Sequence, residues 1–115
     1  MTEADVVREV KQVLIFCGLM KANEKEPGAP SRVQRINTGT FGSRYTKSAH
    51  KGTLDFEGYD IKGRFLGIEC KRPKGGRLSA EQAARITDIN LRGGVAGVVT
   101  SAEEALNLLK TNKCY

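Results

Sequence analysis

The stretch that decides the fold is GTLDFEGYDIKGRFLGIECKR, residues 52–72. Two runs within it, residues 53–61 and 64–72, alternate apolar with polar side chains and contain the aromatic and branched residues typical of β-strands. The Lys62-Gly63 pair suits a turn between the runs, and a proline directly follows the second one. The stretch therefore predicts two consecutive strands joined by a turn.

The alternation of side chains also predicts how the two strands pair. On the second strand Glu69 and Lys71 share one face, and the apolar set lies on the other: Leu66, Ile68 and Cys70. The first strand has an apolar set, Leu54 and Phe56, and a polar set, Asp55 and Glu57. If both apolar sets enter the core, Asp55 joins Glu69 and Lys71 on the opposite face. A three-residue loop over residues 61–63, or a bulge, would place Asp55 opposite Glu69, whereas a two-residue turn would not.

Capping patterns and periodicity predict three helices around these strands. They are expected over residues 2–17, over residues 79–92 and from residue 101 onward, each opening with a capping pair: Thr2 with Asp5, Ser79 with Gln82, Ser101 with Glu104. Further strands are predicted over residues 32–37 and 95–100, and a long loop or irregular hairpin over residues 38–52. Because the last strand follows a helix, it should run parallel to the strand before that helix. We expect a single α/β domain over residues 1–115, with a mixed sheet flanked by helices in the order αβββαβα.

Charge and composition narrow the class of protein. The formal net charge of +6 favours a polyanionic partner, since cations that neutralise phosphates release counterions; a solvated basic surface without a partner is the alternative. No apolar run approaches the roughly 20 residues that span a bilayer. The polar, acidic N-terminus indicates no signal peptide, so we expect a cytoplasmic protein without a membrane partner. The cysteines have no zinc spacing; Cys17 and Cys70 are expected to be buried, and Cys114 to lie in a frayed tail.

The polar face of the two strands carries the chemistry. Asp55 and Glu69, placed opposite each other, would have Cβ atoms about 5 Å apart and would repel unless a cation lay between them. Mg²⁺ suits such a pair, because it takes a few carboxylates together with waters and phosphate oxygens. Lys71 could orient the attacking water and stabilise charge that develops on a phosphate, which suits phosphodiester hydrolysis. The alternative is a surface ion-pair cluster worth about 0–1 kcal/mol.

In these residues the chain resembles the VRR-NUC family, a branch of the PD-(D/E)XK nucleases, over nearly its whole length. The family has an early helical Glu, a Gly-x-x-Asp element, a Glu-x-Lys element and a helical Gln. In those places this chain has Glu3, Gly52-Thr-Leu-Asp55, Glu69-Cys-Lys71 and Gln82. Leu54 replaces the Pro that commonly precedes the Asp, a mild departure because Pro makes no contact with metal.

The resemblance implies a restriction-endonuclease-like core whose catalytic residues are Asp55, Glu69, Lys71 and Gln82. It implies that Asp55 and Glu69 bind Mg²⁺ or Mn²⁺ together with the backbone carbonyl of Cys70, and that Glu3 is a direct or water-mediated ligand. Without the resemblance, Glu3 is a first-turn acid favoured by the helix dipole, and Gln82 is half of a capping box. Minimal family members from phage or bacteria resemble resolvases, which implies a homodimer that cuts four-way (Holliday) junctions in a bacterial or phage-infected cell.

Basic residues around the predicted metal site are candidates for contacts with DNA phosphates: Arg32, Arg35, Arg44, Lys47, Lys51, Arg72, Lys74 and Arg77. Phe41 and Tyr45 could stack on an exposed base. Arg85 and Arg92 are expected to lie on the solvated face of a helix. The alternatives to a DNA endonuclease are a non-catalytic nucleic-acid-binding module, an interaction domain with an incidental acidic cluster, and an RNase or less selective DNase.

Overall fold

The computed structural model describes residues 1–36 and 52–115, in which the chain forms an α/β structure. In chain order the elements are α1 (Glu3–Phe16), β1 (Val33–Arg35), β2 (Phe56–Tyr59), β3 (Phe65–Cys70), α2 (Ala80–Leu91), β4 (Val95–Val99) and α3 (Ala102–Thr111). The four strands make one sheet in the order β1-β2-β3-β4. The first three strands pair antiparallel, and β4 pairs parallel with β3. The predicted mixed sheet, with a last strand that runs parallel after a helix, is confirmed.

The register of the β2–β3 hairpin places the predicted acids together. Phe56 pairs with Ile68 and Tyr59 pairs with Phe65. Extended by one residue, the same register sets Asp55 opposite Glu69. At the other end the Asp60 amide donates to the Arg64 carbonyl at 2.9 Å, which leaves residues 61–63 as the loop. The three-residue loop is therefore confirmed, and Gly63 provides the positive φ of 81° that it needs.

The helices cover both faces of the sheet. On one face α1 and α3 pack against a large core that includes Val10, Phe56, Ile68 and Leu109, all fully buried. On the other face α2 packs through Ile86 and Ile89 over a smaller cluster. Because side chains alternate along β3, this second face also carries Glu69.

Leu54 departs from the prediction that it shares the face of Phe56. It is fully buried in the smaller cluster, against α2. The cause is a local turn: the Leu54 amide donates to the Glu57 side chain at 2.9 Å, and β2 begins only at Phe56, so strand alternation does not extend to Leu54. Gly67 makes room for it, because a Cβ there would lie 2.7 Å from Leu54 Cδ1.

The helix caps follow the sequence with one difference. Thr2 and Ser79 each form the predicted capping box, with Asp5 and Gln82 respectively. Ser101 also caps its helix, but the Glu104 carboxylate accepts hydrogen bonds from the backbone and hydroxyl of Thr100 instead of closing the box.

The end of the chain is packed rather than frayed. Cys114 is fully buried, and its carbonyl accepts from the Ile61 amide at 2.9 Å. Asp60, also fully buried, pairs with Arg64 at 2.7 Å close by, and Arg64 donates to the Asn112 carbonyl. The prediction for Cys114 was therefore wrong, because the tail closes over the β2–β3 turn. No helix in residues 1–36 or 52–115 is long and apolar enough to cross a membrane.

Candidate metal and active centre

Asp55 and Glu69 lie side by side at the end of β3, and each carboxylate accepts a hydrogen bond from a backbone amide on the opposite side of the hairpin. The Asp55 amide donates to Glu69 Oε1 at 3.1 Å, and the Cys70 amide donates to Asp55 Oδ2 at 2.8 Å. Only 9% of Asp55 and 2% of Glu69 is exposed. Two nearly buried carboxylates are therefore fixed next to each other by the hairpin register.

Burial and a neighbouring charge disfavour the ionised form of Glu69. Burial and the neighbouring charge of Asp55 raise the pKa of Glu69 to about 7, although Lys71 acts in the opposite direction. Burial, followed by the charges of Asp55 and Glu69, also raises the pKa of the Cys70 thiol, which keeps it protonated at neutral pH. The two carboxylates therefore repel each other, and of the groups of Cys70 only the backbone carbonyl is suited to contact a cation.

Lys71 lies against this pair and links it to α1. Its ammonium nitrogen is 3.1 Å from Glu69 Oε2 and 3.8 Å from Glu3 Oε1. Glu3 therefore reaches the centre through Lys71, and no direct contact joins it to Asp55 or Glu69 in the described part of the chain. Strand alternation placed Asp55, Glu69 and Lys71 in one site and the family resemblance added Glu3; the structure brings the four together with Glu3 at the margin.

Gln82 performs both roles that the sequence offered as alternatives. Its carbonyl oxygen accepts from the Ser79 amide at 3.1 Å, which completes the capping box. Its amide nitrogen donates to Glu69 Oε2 at 2.8 Å. One side chain thus starts α2 and fixes the orientation of Glu69.

Arg35, predicted as a contact for DNA, lies beside Asp55. Its Nη2 is 3.5 Å from Asp55 Oδ1, its Nη1 donates to the Asp55 carbonyl at 3.2 Å, and its guanidinium lies 5.7 Å from the centre of the Phe56 ring. These contacts compensate part of the negative charge of Asp55 from the β1 side of the sheet.

Sequence reasoning missed the role of Arg85. Its Nε and Nη2 donate to the two carboxylate oxygens of Glu57, both at 2.6 Å, and its guanidinium lies 5.6 Å from the centre of the Phe65 ring. A signal was present in the sequence. Arg85 lies three residues after Gln82 and therefore on the same helix face, and Glu57 lies two residues after Asp55, which predicts the same side of the strand. Arg92 matches its prediction and forms an exposed pair with Asp88.

The other basic residues predicted to contact DNA differ in their position relative to the acid pair. Arg72 and Arg77 line a groove of about 380 Å³ that also borders Glu3 and Lys71. Arg32 and Lys74 are exposed. The remaining predicted nucleic-acid contacts lie outside the described residues: Phe41, Arg44, Tyr45, Lys47 and Lys51.

The donor set fits one class of metal. Among residues 1–36 and 52–115, no group of three or more His, Cys, Asp or Glu side chains is arranged to hold an ion. Two carboxylates fit Mg²⁺ or Mn²⁺, which complete their shells with waters and phosphate oxygens, and do not fit a structural zinc site. Comparisons with protein-family models, curated proteins and solved structures returned no match, so the function is inferred from the chemistry of the site.

Proposed function

We propose that the protein is a metal-dependent DNA endonuclease with its active centre at Asp55, Glu69 and Lys71. The observation that carries this proposal is the buried acid pair with a lysine in contact. Burial and the charge of Asp55 together raise the pKa of Glu69 to about 7, so the two carboxylates repel each other even though Arg35 and Lys71 lie beside them. A divalent cation between the carboxylates would remove this repulsion, and in doing so would create a site for a phosphate.

The residues around the pair support a division of roles. Asp55 and Glu69 would hold Mg²⁺ or Mn²⁺, with the backbone carbonyl of Cys70 as a further ligand and Glu3 at the margin. When bound, the cation would polarise the scissile phosphate and promote ionisation of the attacking water. Lys71 places a positive charge within 3.1 Å of Glu69, where it would stabilise negative charge developing on the phosphate. Gln82 keeps one Glu69 oxygen oriented.

The charge of the chain supports nucleic acid as the substrate. The net charge is +6, and Arg72 and Arg77 line the groove beside Lys71, where they would contact phosphates that flank the cleaved bond. The motif order supports a PD-(D/E)XK core of the VRR-NUC type. On that resemblance we propose a homodimer that cuts four-way DNA junctions, since pairing would give two active centres and a longer contact with DNA.

The test compares wild type with Lys71→Ala and Glu69→Ala on a labelled four-way junction and a matched duplex, with Mn²⁺. We expect Lys71→Ala to retain DNA binding and lose about 100-fold or more in cleavage rate, because the charge that stabilises the reacting phosphate is gone. Glu69→Ala should lose Mn²⁺ binding as well. Lys110→Ala, which removes an exposed cation from the last turn of α3, is the control and should cut normally.

The binding-module, RNase and less selective DNase alternatives each give a different result. Normal cleavage by both active-centre variants would contradict the site. DNA binding by wild type without cleavage in Mg²⁺ or Mn²⁺ would favour a non-catalytic binding module, and cleavage of RNA in preference to DNA would favour an RNase. Equal cleavage of junction and duplex by a protein that is monomeric in light scattering would remove the resolvase proposal and leave a less selective DNase.

A further inference from the structure

We infer that Glu57 and Arg85 are positioning residues that hold Asp55 in place from α2. The argument begins at the backbone before Asp55. The Leu54 amide donates to Glu57 Oε2 at 2.9 Å, and the next amide, that of Asp55, donates to Glu69 Oε1 at 3.1 Å. Two carboxylates therefore hold two successive peptide groups. These two contacts together set the direction in which the Asp55 side chain projects from the backbone.

Glu57 can hold the Leu54 peptide because Arg85 fixes it. The same Oε2 that accepts from Leu54 accepts from Arg85 Nε, and Oε1 accepts from Nη2, both at 2.6 Å. A two-point guanidinium–carboxylate pair fixes orientation as well as distance. The Glu57 side chain is 10% exposed and that of Arg85 34%, and the guanidinium also lies against Phe65. Neither side chain is a loosely held surface ion.

The consequence is that one helix orients both acids. Glu69 is tied to α2 directly, through Gln82 at 2.8 Å, and Asp55 is tied to it through Leu54, Glu57 and Arg85. The separation of the two carboxylates therefore depends on α2 as well as on the hairpin register. This role rests on the proposed function, because it matters only if the pair holds a cation.

A charge argument separates positioning from simple electrostatics. Arg85 is a cation near an acid pair, so deleting its charge should by Coulomb's law make Mn²⁺ bind more tightly. If Arg85 instead holds the ligand geometry, deleting it should make Mn²⁺ bind more weakly, as is typical when outer contacts of metal ligands are removed. The two explanations predict changes of opposite sign in one measurement.

The test is Mn²⁺ binding by calorimetry or electron paramagnetic resonance, without DNA, on Arg85→Met and Arg85→Lys. We expect the dissociation constant of Arg85→Met to rise by about 10-fold. Arg85→Lys keeps the charge but loses the two-point contact, and its dissociation constant should rise by a smaller factor. Arg92→Met and Arg92→Lys change an exposed pair on the same helix and should bind as wild type does. Arg64→Met breaks the buried pair at the far end of the hairpin, so it should lower the melting temperature without changing Mn²⁺ affinity.

The outcomes are distinct. An unchanged or lower dissociation constant in Arg85→Met overturns the positioning role while the proposed function stands. If Arg85→Met does not fold, an unchanged dissociation constant in the isoelectric Arg85→Lys overturns the role. Wild-type binding of Mn²⁺ no stronger than that of Asp55→Asn overturns the proposed function and the positioning role together.

Discussion

At Glu69 the fold buries a carboxylate beside a second carboxylate, and this has a cost in stability. The folded-state pKa of about 7 lies above the ordinary value of 4.5, so the folded protein binds this proton more tightly than the unfolded chain does. Such a group favours folding at low pH, and its contribution is lost as pH rises from about 4.5 through 7. Above this pH range, the fold would therefore be more stable without the Glu69 carboxylate.

We predict that Glu69→Gln is more stable than wild type at pH 8 in the absence of metal, by roughly 1–3 kcal/mol. The difference should be several-fold smaller at pH 5, where folded Glu69 is protonated, and should vanish only below the ordinary value of 4.5, where the unfolded chain takes up the proton as well. Urea unfolding at both pH values, with a chelator present, measures this difference. Glu26→Gln, at an exposed position, is the control and should change little. A variant that is less stable than wild type at pH 8 would contradict the account of this residue.

At this scale the sequence predicted the residues that share a face but not their cationic partners. Glu69, Lys71 and Asp55 follow from strand alternation, whereas the place of Gln82 in the site was implied only by the family resemblance, since its capping pattern predicts no contact with Glu69. Arg35 and Arg85 were assigned to DNA contact or solvent, because a long guanidinium side chain finds its partner only after the elements are packed. Their partners, Asp55 and Glu57, are 20 and 28 residues away in the chain.

Among the elements, the β2–β3 hairpin determines whether the centre exists. Side chains in a strand alternate with a period of two, so a slip of one residue would turn Asp55 away from Glu69. The loop over residues 61–63 maintains the register, with Asp60 Oδ1 accepting from the Lys62 and Arg64 amides, both at 2.9 Å. The length of a turn distant from the acids therefore sets their alignment.

Deletion of Lys62 should therefore weaken Mn²⁺ binding, with a dissociation constant raised by at least about 10-fold. A two-residue loop would either turn the Asp55 side chain to the opposite face of the sheet or strain the hairpin. The melting temperature should therefore fall as well. The measurement is a Mn²⁺ titration below the melting temperature of the variant. Insertion of one Gly after Gly28, in an exposed loop, is the matched control and should bind as wild type does. Wild-type affinity in the deletion variant would show that the loop does not set the register.

The hairpin also shows where element prediction from sequence succeeds and fails. The loop length could be predicted because only an odd loop lets Phe56 reach the same core as Leu66, Ile68 and Cys70. The position of Leu54 could not, since its amide donates to the Glu57 side chain and β2 begins only at Phe56, so strand alternation does not extend to Leu54. Likewise, strand character was predicted over residues 32–37, and within the described residues 32–36 of that range β1 spans Val33–Arg35.

In the whole molecule, the sheet and the N-terminal turns of two helices converge on one acidic pair. Glu3 comes from the first turn of α1, Gln82 from the first turn of α2, and Lys71 directly follows β3. The sequence predicted the α/β class and the parallel last strand. It did not predict that α2 covers the face that carries the acids, because capping and periodicity define a helix without defining the sheet face on which it packs.

The central claim is that Asp55 and Glu69 together hold a divalent cation. The most direct test is an anomalous difference map from a crystal of the protein soaked in Mn²⁺. We predict a peak between the two carboxylates, at about 2.0–2.4 Å from an oxygen of each, and no such peak in Asp55→Asn. A map from fully soaked crystals with no peak at this position, or with manganese bound only elsewhere, would contradict the account.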